Sequence, residues 1–278
     1  MIDEPQTNAP EQPGKDSDLG GFHVKTVYGP VSSWRLGRSF GVDPICREDK
    51  VCSFDCVYCQ LGRTKEKTCE RREFVSVDDV KKDLDEVLAR VEADIITFSG
   101  TGEPTLASNL RGMIDHIREV SSLPIAILTN SSLLSESKVR KELYDLDVVV
   151  VKLDAHNQEL LEKINRPCEE ITFEKILGGI KKFRSNYPNK LAVQTMFIDK
   201  NKKYASEIAS LTREIEPDEV QINTPLRPCP VKPLDKWEIE KIKTEFRGLN
   251  AISVYEAEKV EVHPVDLEEV YIRKRPEP

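Results

Sequence analysis

The sequence predicts an α/β protein built around a partial (β/α)6 barrel, and two patterns support this fold class. Short, continuous apolar segments alternate along the chain with amphipathic segments of helical period. Continuous apolar segments are typical of strands buried on both faces of a parallel sheet. Because the connection between two parallel strands is right-handed, successive strand–helix units curl the sheet towards a barrel.

Six segments have the composition of buried strands, and each is short enough to form one strand. They are GVDPI (41–45), DIITFS (94–99), IAILTN (125–130), DVVVVKLD (147–154), LAVQTMFI (191–198) and EVQINTP (219–225). In barrels of this kind, the chemistry lies at the C-terminal ends of the strands. The residues that end each segment are therefore the first candidates for a functional site.

Six further segments have the period of an amphipathic helix. They are residues 76–93, 109–121, 135–146, 172–187, 203–216 and 233–248. The first shows the pattern fully, since one face carries Val80, Leu84, Val87, Leu88 and Val91. Ser76 is a suitable N-cap for this helix, and Gly248 is a suitable end for the last one.

The chain divides into three parts by composition. Residues 1–21 hold five acidic residues and one lysine with few apolar side chains, so we expect a disordered acidic tail. Residues 22–248 form the predicted barrel. Residues 249–278 are predicted to be a short C-terminal extension with an appended strand and a loop.

Composition excludes several classes of protein. Hydrophobic residues make up 38% of the 278 residues and charged residues 32%, as in soluble globular proteins. No apolar segment approaches the length of a membrane span, and the N-terminus lacks the basic start and apolar core of a signal peptide. We therefore expect a cytoplasmic protein. The net charge of −8 counts against a nucleic-acid-binding protein, although a local basic patch remains compatible with it.

Three closely spaced cysteines form the most informative motif. In CSFDCVYCQLG (52–62), thiols occur at Cys52, Cys56 and Cys59, in the first strand–helix loop. A structural zinc site needs four ligands, and a disulfide framework needs an even number of cysteines. Three thiolates in a tight loop suit an iron–sulfur cluster that keeps one iron open for a small molecule. A zinc or redox-inactive thiol site is the alternative.

The spacing Cys-x3-Cys-x2-Cys, with Tyr58 directly before the last cysteine, resembles the radical S-adenosylmethionine (radical SAM) superfamily over roughly residues 24 to 225. SGTGEPT (99–105), which follows the second strand, resembles the Gly-Gly-Glu-Pro element of that superfamily, with Thr101 where the first glycine usually stands. VYGPVSSWRLGRSFGVDPI and FSGTGEPTL resemble a branch of iron–sulfur oxidoreductases grouped with wyosine-type tRNA-modification enzymes.

The resemblance implies a 4Fe–4S cluster held by the three cysteines and S-adenosylmethionine bound at the open iron. One electron from the cluster cleaves the cosubstrate to methionine and a deoxyadenosyl radical, which abstracts hydrogen from a substrate. The catalytic and metal-binding residues are then Cys52, Cys56 and Cys59. Beside them, the resemblance places Tyr58, Gly100, Gly102 and Glu103 at the cosubstrate, with Glu103 holding its ammonium group.

Polar residues at later strand ends extend the candidate site. The positions that resemble superfamily contacts to the ribose or the methionine carboxylate are Thr129, Asn130, Lys152 and Asp154. A solvated strand end is the alternative for Lys152. Gln194 is a further cosubstrate candidate and Asn223 a weaker one, since buried and satisfied polar groups would explain both equally well.

The remaining cysteines and basic residues carry weaker indications. Cys46, Cys69, Cys168 and Cys229 are scattered, so we expect free thiols, with an auxiliary cluster as the alternative. RTKEKTCERR (63–72) could contact phosphate, although a solvated loop is favoured. Arg35 and Arg38 could reach an anionic substrate or the barrel floor.

The resemblance also implies partners. We expect a one-electron donor such as flavodoxin or ferredoxin, and a monomeric enzyme. Three classes of function remain open at this point: an enzyme that modifies a tRNA base, a protein-radical activase, and a non-enzymatic iron–sulfur or zinc-binding protein.

Overall fold

The computed structural model describes residues 24–257 and 260–273. Ten strands are present in these ranges: β1 (Val27–Ser33), β2 (Gly37–Val42), β3 (Val51–Cys52), β4 (Glu66–Lys67), β5 (Ile95–Phe98), β6 (Ile125–Thr129), β7 (Val148–Lys152), β8 (Lys190–Met196), β9 (Glu219–Asn223) and β10 (Ala251–Ser253). The predicted tail, residues 1–21, lies outside the described residues. The boundaries of the three predicted parts stay predictions.

Eight strands form one curled sheet in the order β1-β2-β5-β6-β7-β8-β9-β10. Every neighbouring pair from β2 to β10 is parallel, and β1 pairs antiparallel with β2 at the edge. Parallel pairing places the C-terminal ends of β2 and β5–β10 at one rim. The predicted α/β half barrel is therefore confirmed.

Eight α-helices are present in the described ranges: α1 (Val77–Leu88), α2 (Leu110–Val120), α3 (Ser137–Leu143), α4 (Gln158–Ile164), α5 (Phe173–Arg184), α6 (Ala205–Ile215), α7 (Lys236–Glu245) and α8 (Leu267–Ile272). In α1, the Ser76 hydroxyl accepts from the Asp79 amide, and Val80, Leu84 and Val87 are buried. None of the described helices has the length and apolar character that a membrane crossing requires.

The sequence analysis missed β1, β3, β4, α4 and α8, and for β1 and α4 the reason can be identified. β1 contains Pro30, which argues against a strand, but an edge strand tolerates proline because its outer N–H groups need no partner. α4 is a second helix between β7 and β8, and the simple alternation of one strand with one helix expected from the sequence left no place for it. The position of the first predicted strand, residues 41–45, was wrong, since β2 ends at Val42. Asp43 then turns the chain by accepting from the amides of Ile45 and Cys46.

The C-terminal extension returns to the sheet. β10 pairs with β9, which confirms the appended strand, and α8 packs against β1. The Arg273 side chain at the end of α8 is completely buried and forms ion pairs with Asp43 and Glu269. Asp43 also accepts from the Thr101 amide. The extension therefore braces the loop that follows β5.

Candidate iron–sulfur and cosubstrate site

The three cysteines lie in the cluster loop, residues 50–67, between β2 and α1. Cys52 is in β3, which pairs with β4 and so closes the loop at its base. Between these strands, the Cys59 amide donates to the Cys56 carbonyl (3.1 Å) and the Gly62 amide donates to the Cys59 carbonyl (3.0 Å). All three thiols line one cavity of about 220 Å³ at the C-terminal ends of β5–β8. The structure thus brings the predicted triad to the predicted rim.

Burial opposes ionisation of the Cys52 and Cys56 thiols, whereas the nearby Lys50 favours it. Burial raises the pKa of the Cys52 thiol to about 12, although Lys50 opposes the rise. Lys50 is itself only 5% exposed. Burial alone would lower the pKa of Lys50, but the attraction of the three thiolates, that of Cys59 foremost, outweighs it and raises the pKa. Lys50 was not singled out in the sequence, where one lysine before a cysteine gives no signal.

Two side-chain amides, one half-buried and one buried, point at the sulfurs. Asn130 Nδ2 lies 3.5 Å from Cys52 Sγ, and Asn165 Nδ2 lies 3.4 Å from Cys56 Sγ. Hydrogen bonds to the ligand sulfurs stabilise added negative charge and are one means by which proteins set cluster potentials. Asn130 was predicted as a cosubstrate contact. Asn165 was missed because it follows α4, far from the motif in sequence.

The donor set fits a polynuclear cluster better than a single ion. Four sulfur ligands around one zinc ion at about 2.3 Å would lie about 3.8 Å apart. Within the described ranges, the triad is not among the groups of three ligand atoms that all approach within 4.8 Å of one another. Thiols that line a common cavity without meeting at one point suit the corners of an iron–sulfur cube.

The loop after β5 packs directly on the cluster loop, and this packing explains its glycines. A Cβ on Gly102 would lie 1.8 Å from the Val51 carbonyl oxygen. Gly100 has a φ of +149°, and a Cβ there would lie 2.1 Å from the Asp43 carboxyl carbon. Both glycines are therefore required by protein packing, and their predicted contact with the cosubstrate stays a prediction.

Glu103 is the centre of a hydrogen-bond network between two strand ends. Its Oε1 accepts from the Thr105 hydroxyl (2.7 Å), the Thr105 amide (3.2 Å) and the Thr129 hydroxyl (2.6 Å). Its Oε2 accepts from the Asn130 amide (2.7 Å). The side chain is 2% exposed, and burial raises the pKa of Glu103 against the effect of these hydrogen bonds. Oε2 retains a lone pair for a donor in the cavity.

Tyr58, Lys152 and Asp154 form a second network at the ends of β7 and β8. The Tyr58 hydroxyl donates to Asp154 Oδ2 over a short distance, and Lys152 Nζ donates to the Tyr58 oxygen (3.2 Å). Asp154 Oδ1 accepts from the Met196 amide (2.8 Å). Lys152 thus has a specific partner and is not merely a solvated strand end.

The cavity collects nearly all of the predicted site residues. Those that line it are Cys52, Cys56, Cys59, Tyr58, Gly100, Gly102, Glu103, Thr129, Asn130, Lys152 and Gln194. Asp154 does not line it, but accepts a hydrogen bond from the hydroxyl of Tyr58, which does. Gln194 is buried, and its Nε2 has no hydrogen-bond partner in the described part of the chain. An unsatisfied buried donor on a cavity wall indicates a place for a ligand acceptor.

A larger cavity of about 620 Å³ adjoins the first one. Tyr58, Gln60, Gln194 and Met196 line both cavities. The other walls of the larger cavity come from the β1–β2 hairpin, the segment after β9 and the C-terminal extension: Ser32, Trp34, Arg35, Asn223, Thr224, Pro225, Leu226, Arg227, Val254, Ala257, Val260 and Glu261. Asn223, ranked as a weaker candidate from sequence, faces this second cavity.

The basic segment 63–72, Arg35 before β2 and Arg38 in β2 have separate roles. Arg71 is largely buried, pairs with Glu142 and donates to the carbonyls of Thr105 and Ala107. It is therefore a structural residue, neither a phosphate contact nor part of a solvated loop. Arg38 pairs with Asp94 at the start of β5, on the barrel floor, whereas Arg35 lines the larger cavity.

Comparison with known protein families supports the same class of protein as the fold and the site do. The profile of the radical SAM superfamily matches residues 50–211, which is more than half of the chain. The protein is therefore an enzyme of the radical SAM superfamily, with a 4Fe–4S cluster and S-adenosylmethionine as its cofactors.

The relatives define the family more narrowly. The chain is 42% identical over 207 residues to a UPF0026 protein of Synechocystis sp., covering 74% of this chain and 77% of that protein. It is 40% identical over 234 residues to a UPF0026 protein of Methanocaldococcus jannaschii, covering 81% and 71%. The chain thus belongs to the UPF0026 family within the superfamily.

A solved structure shows the same fold. SuiB from Streptococcus suis, bound to S-adenosylmethionine, matches with a TM-score of 0.56 and 14% identity. The match covers 74% of this chain but only 48% of the SuiB chain. At 14% identity the likeness concerns the fold alone. The chain also spans only about half the length of SuiB.

Proposed function

We propose that this enzyme cleaves S-adenosylmethionine reductively in the smaller cavity and modifies a substrate, a base in tRNA, that enters the larger one. The observation that carries the proposal is the junction of the two cavities at Tyr58, Gln60, Gln194 and Met196, directly beside the cysteine triad. When bound, the cluster supplies the electron that splits the cosubstrate to methionine and a deoxyadenosyl radical able to abstract hydrogen.

The residues of the chain position the cosubstrate and exclude water. Glu103 Oε2, with its remaining lone pair, accepts from the ammonium group in this proposal, and Gln194 Nε2 donates to an oxygen of the bound molecule. Tyr58 of the cluster loop and Lys152 at the end of β7 both line the smaller cavity, and the hydrogen bond between them joins these two parts of its wall. Buried walls of this kind protect a reactive intermediate from solvent.

The lining of the larger cavity supports a nucleotide base as substrate. Trp34 is half-buried there, and the Arg35 guanidinium carbon lies 5.0 Å from its ring centroid. Arg227 lies on another wall and donates to Gln60 (2.7 Å). Flipped-out RNA bases stack on aromatic rings and arginine planes, and arginines also neutralise phosphate.

A binding experiment tests the substrate class. Labelled total tRNA is titrated with reconstituted Trp34→Ala, Arg227→Ala and unaltered protein under anaerobic conditions. Loss of one stacking contact costs about 1–3 kcal/mol, so Trp34→Ala should weaken binding by roughly 5- to 150-fold. Trp237→Ala is the matched control, since the other tryptophan is 84% exposed on α7 and outside the cavity.

Two results would reject the tRNA substrate. Equal binding by Trp34→Ala and Trp237→Ala would show that the cavity does not hold the base. Anaerobic cross-linking that recovers a protein and no RNA would favour a protein-radical activase. Formation of deoxyadenosine on reduction tests the radical chemistry separately. We further infer a cytoplasmic, monomeric enzyme reduced by a flavodoxin- or ferredoxin-type donor, since its free thiols suit a reducing compartment.

A further inference from the structure

A second group of metal-ligating side chains lies behind the cluster loop. The sulfurs of Cys69 and Cys168 and a carboxylate oxygen of Glu170 all lie within 4.8 Å of one another. Across residues 24–257 and 260–273, no other three Cys, His, Asp or Glu side chains meet so closely. None of the three lines either of the cavities described above. This group therefore belongs to neither the cluster site nor the substrate cavity.

We propose that Cys69, Cys168 and Glu170 bind one zinc ion with water in the fourth position, an open coordination that differs from a closed structural site of four protein ligands. Zinc takes thiolate and carboxylate ligands in tetrahedral geometry, and two sulfurs favour it over the harder magnesium and calcium ions. Two cysteines are too few for an auxiliary iron–sulfur cluster held by thiolates alone.

The backbone holds the two halves of this site together without help from a metal. The Cys168 amide donates to the Ser53 carbonyl (2.9 Å), and Phe54 and Pro167 form an isolated β-bridge. On the other side, the Thr68 amide donates to the Cys52 carbonyl (3.2 Å). Cys69 and Cys168 are therefore placed side by side by the same segments that shape the cluster loop, and the ligands are preorganised.

Charge favours a cation at this position. A carboxylate oxygen of Glu170 lies within 4.8 Å of both sulfurs. Two thiolates and a carboxylate so close together would repel one another unless a cation bound between them.

Zinc at this site would fasten the cluster loop to the segment that follows α4. That segment includes Asn165, which donates to Cys56. The site would therefore stabilise the loop that holds the iron–sulfur cluster while taking no direct part in the chemistry.

Metal analysis of the full chain tests the proposal. Protein reconstituted with iron and sulfide, so that the triad is filled, receives one equivalent of zinc chloride and is desalted anaerobically. We expect one zinc per chain in addition to the iron. The zinc X-ray absorption spectrum should show two sulfur ligands at about 2.3 Å and oxygen ligands at about 2.0–2.2 Å.

Three variants assign the ligands. Cys69→Ser should weaken zinc binding about a hundredfold, since the site loses one of its two thiolate ligands. Glu170→Gln changes an exposed residue and should fold normally, yet it should lose zinc affinity and one oxygen ligand. Cys229→Ser is the matched control, because this thiol lies outside the group and should leave zinc unchanged.

Iron content separates this proposal from the cluster assignment. Zinc loss with unchanged iron in Cys69→Ser would support a separate zinc site, whereas loss of iron from Cys69→Ser but not from Glu170→Gln would mean that Cys69 serves the cluster. Absence of zinc from the unaltered protein would also overturn the proposal. So would equal zinc affinity in Cys69→Ser, or a Cys69–Cys168 disulfide found by mass spectrometry in anaerobically purified chain.

Discussion

Replacement of Glu103 by glutamine tests two roles of this carboxylate: it accepts hydrogen bonds within the fold, and we propose that it accepts one from the ammonium group of S-adenosylmethionine. In the structure its two oxygens accept four hydrogen bonds, two of them from the backbone amides of Thr105 and Asn130. A glutamine has one acceptor oxygen. If its NH2 group replaces Oε2, the Asn130 amide loses its acceptor, and if it replaces Oε1, the Thr105 amide does. Glu103→Gln therefore leaves one backbone N–H without a partner in either orientation.

The expected magnitudes follow from these contacts. An unsatisfied buried N–H costs about 1–3 kcal/mol, so the free energy of unfolding should fall by that amount. In the contact proposed between Glu103 and the cosubstrate ammonium, loss of the charge removes a charge-assisted hydrogen bond of about 1.5–3 kcal/mol. The dissociation constant for S-adenosylmethionine should then rise roughly ten- to a hundredfold. The cluster should survive, since Glu103 is not an iron ligand.

Denaturant unfolding and calorimetric titration of reconstituted protein measure the two effects. Thr105→Val is the matched control, because it removes one hydrogen bond to Glu103 but keeps the charge. It should lower stability by about 1 kcal/mol and leave the affinity for S-adenosylmethionine nearly unchanged. Unchanged affinity in Glu103→Gln would refute the ammonium contact. Equal loss of affinity in both variants would show that network geometry, and not charge, decides binding.

Three further predictions concern the cluster and its supports. Anaerobic reconstitution should give about four irons per chain, and alanine at any one of the three motif cysteines should abolish iron uptake; stoichiometric zinc at the triad without iron would contradict the assignment. Arg273→Leu should cost about 3–5 kcal/mol in denaturant unfolding, because it leaves the buried Asp43 carboxylate unpaired, and a loss below about 1 kcal/mol would show that Asp43 finds another partner. Asn165→Ala should make the cluster midpoint potential more negative, since it removes the donor to Cys56, and an unchanged potential in an EPR-monitored redox titration would exclude that role.

The class of the protein could be predicted from short segments of the sequence. The spacing of Cys52, Cys56 and Cys59 is a local pattern, and so is the SGTGEP segment at the end of a strand. The continuous apolar segments predicted the parallel strands, because strands buried on both faces need apolar residues throughout. These features depend on neighbours in the chain, which is why the sequence alone predicts the half barrel, the cluster triad and the rim where the site lies.

The partners of these residues depend on contacts between distant segments. Which groups the Glu103 carboxylate binds follows from the adjacency of β5 and β6, and the Asn165–Cys56 contact follows from an additional helix between β7 and β8. Arg273 reaches Asp43 across nearly the whole chain. A buried polar group requires a partner but does not specify where in the sequence that partner lies. The triad and its rim were therefore determined by the sequence itself, whereas only the tertiary structure decided what orients the thiols, braces the loop after β5 and brings Cys69 to Cys168.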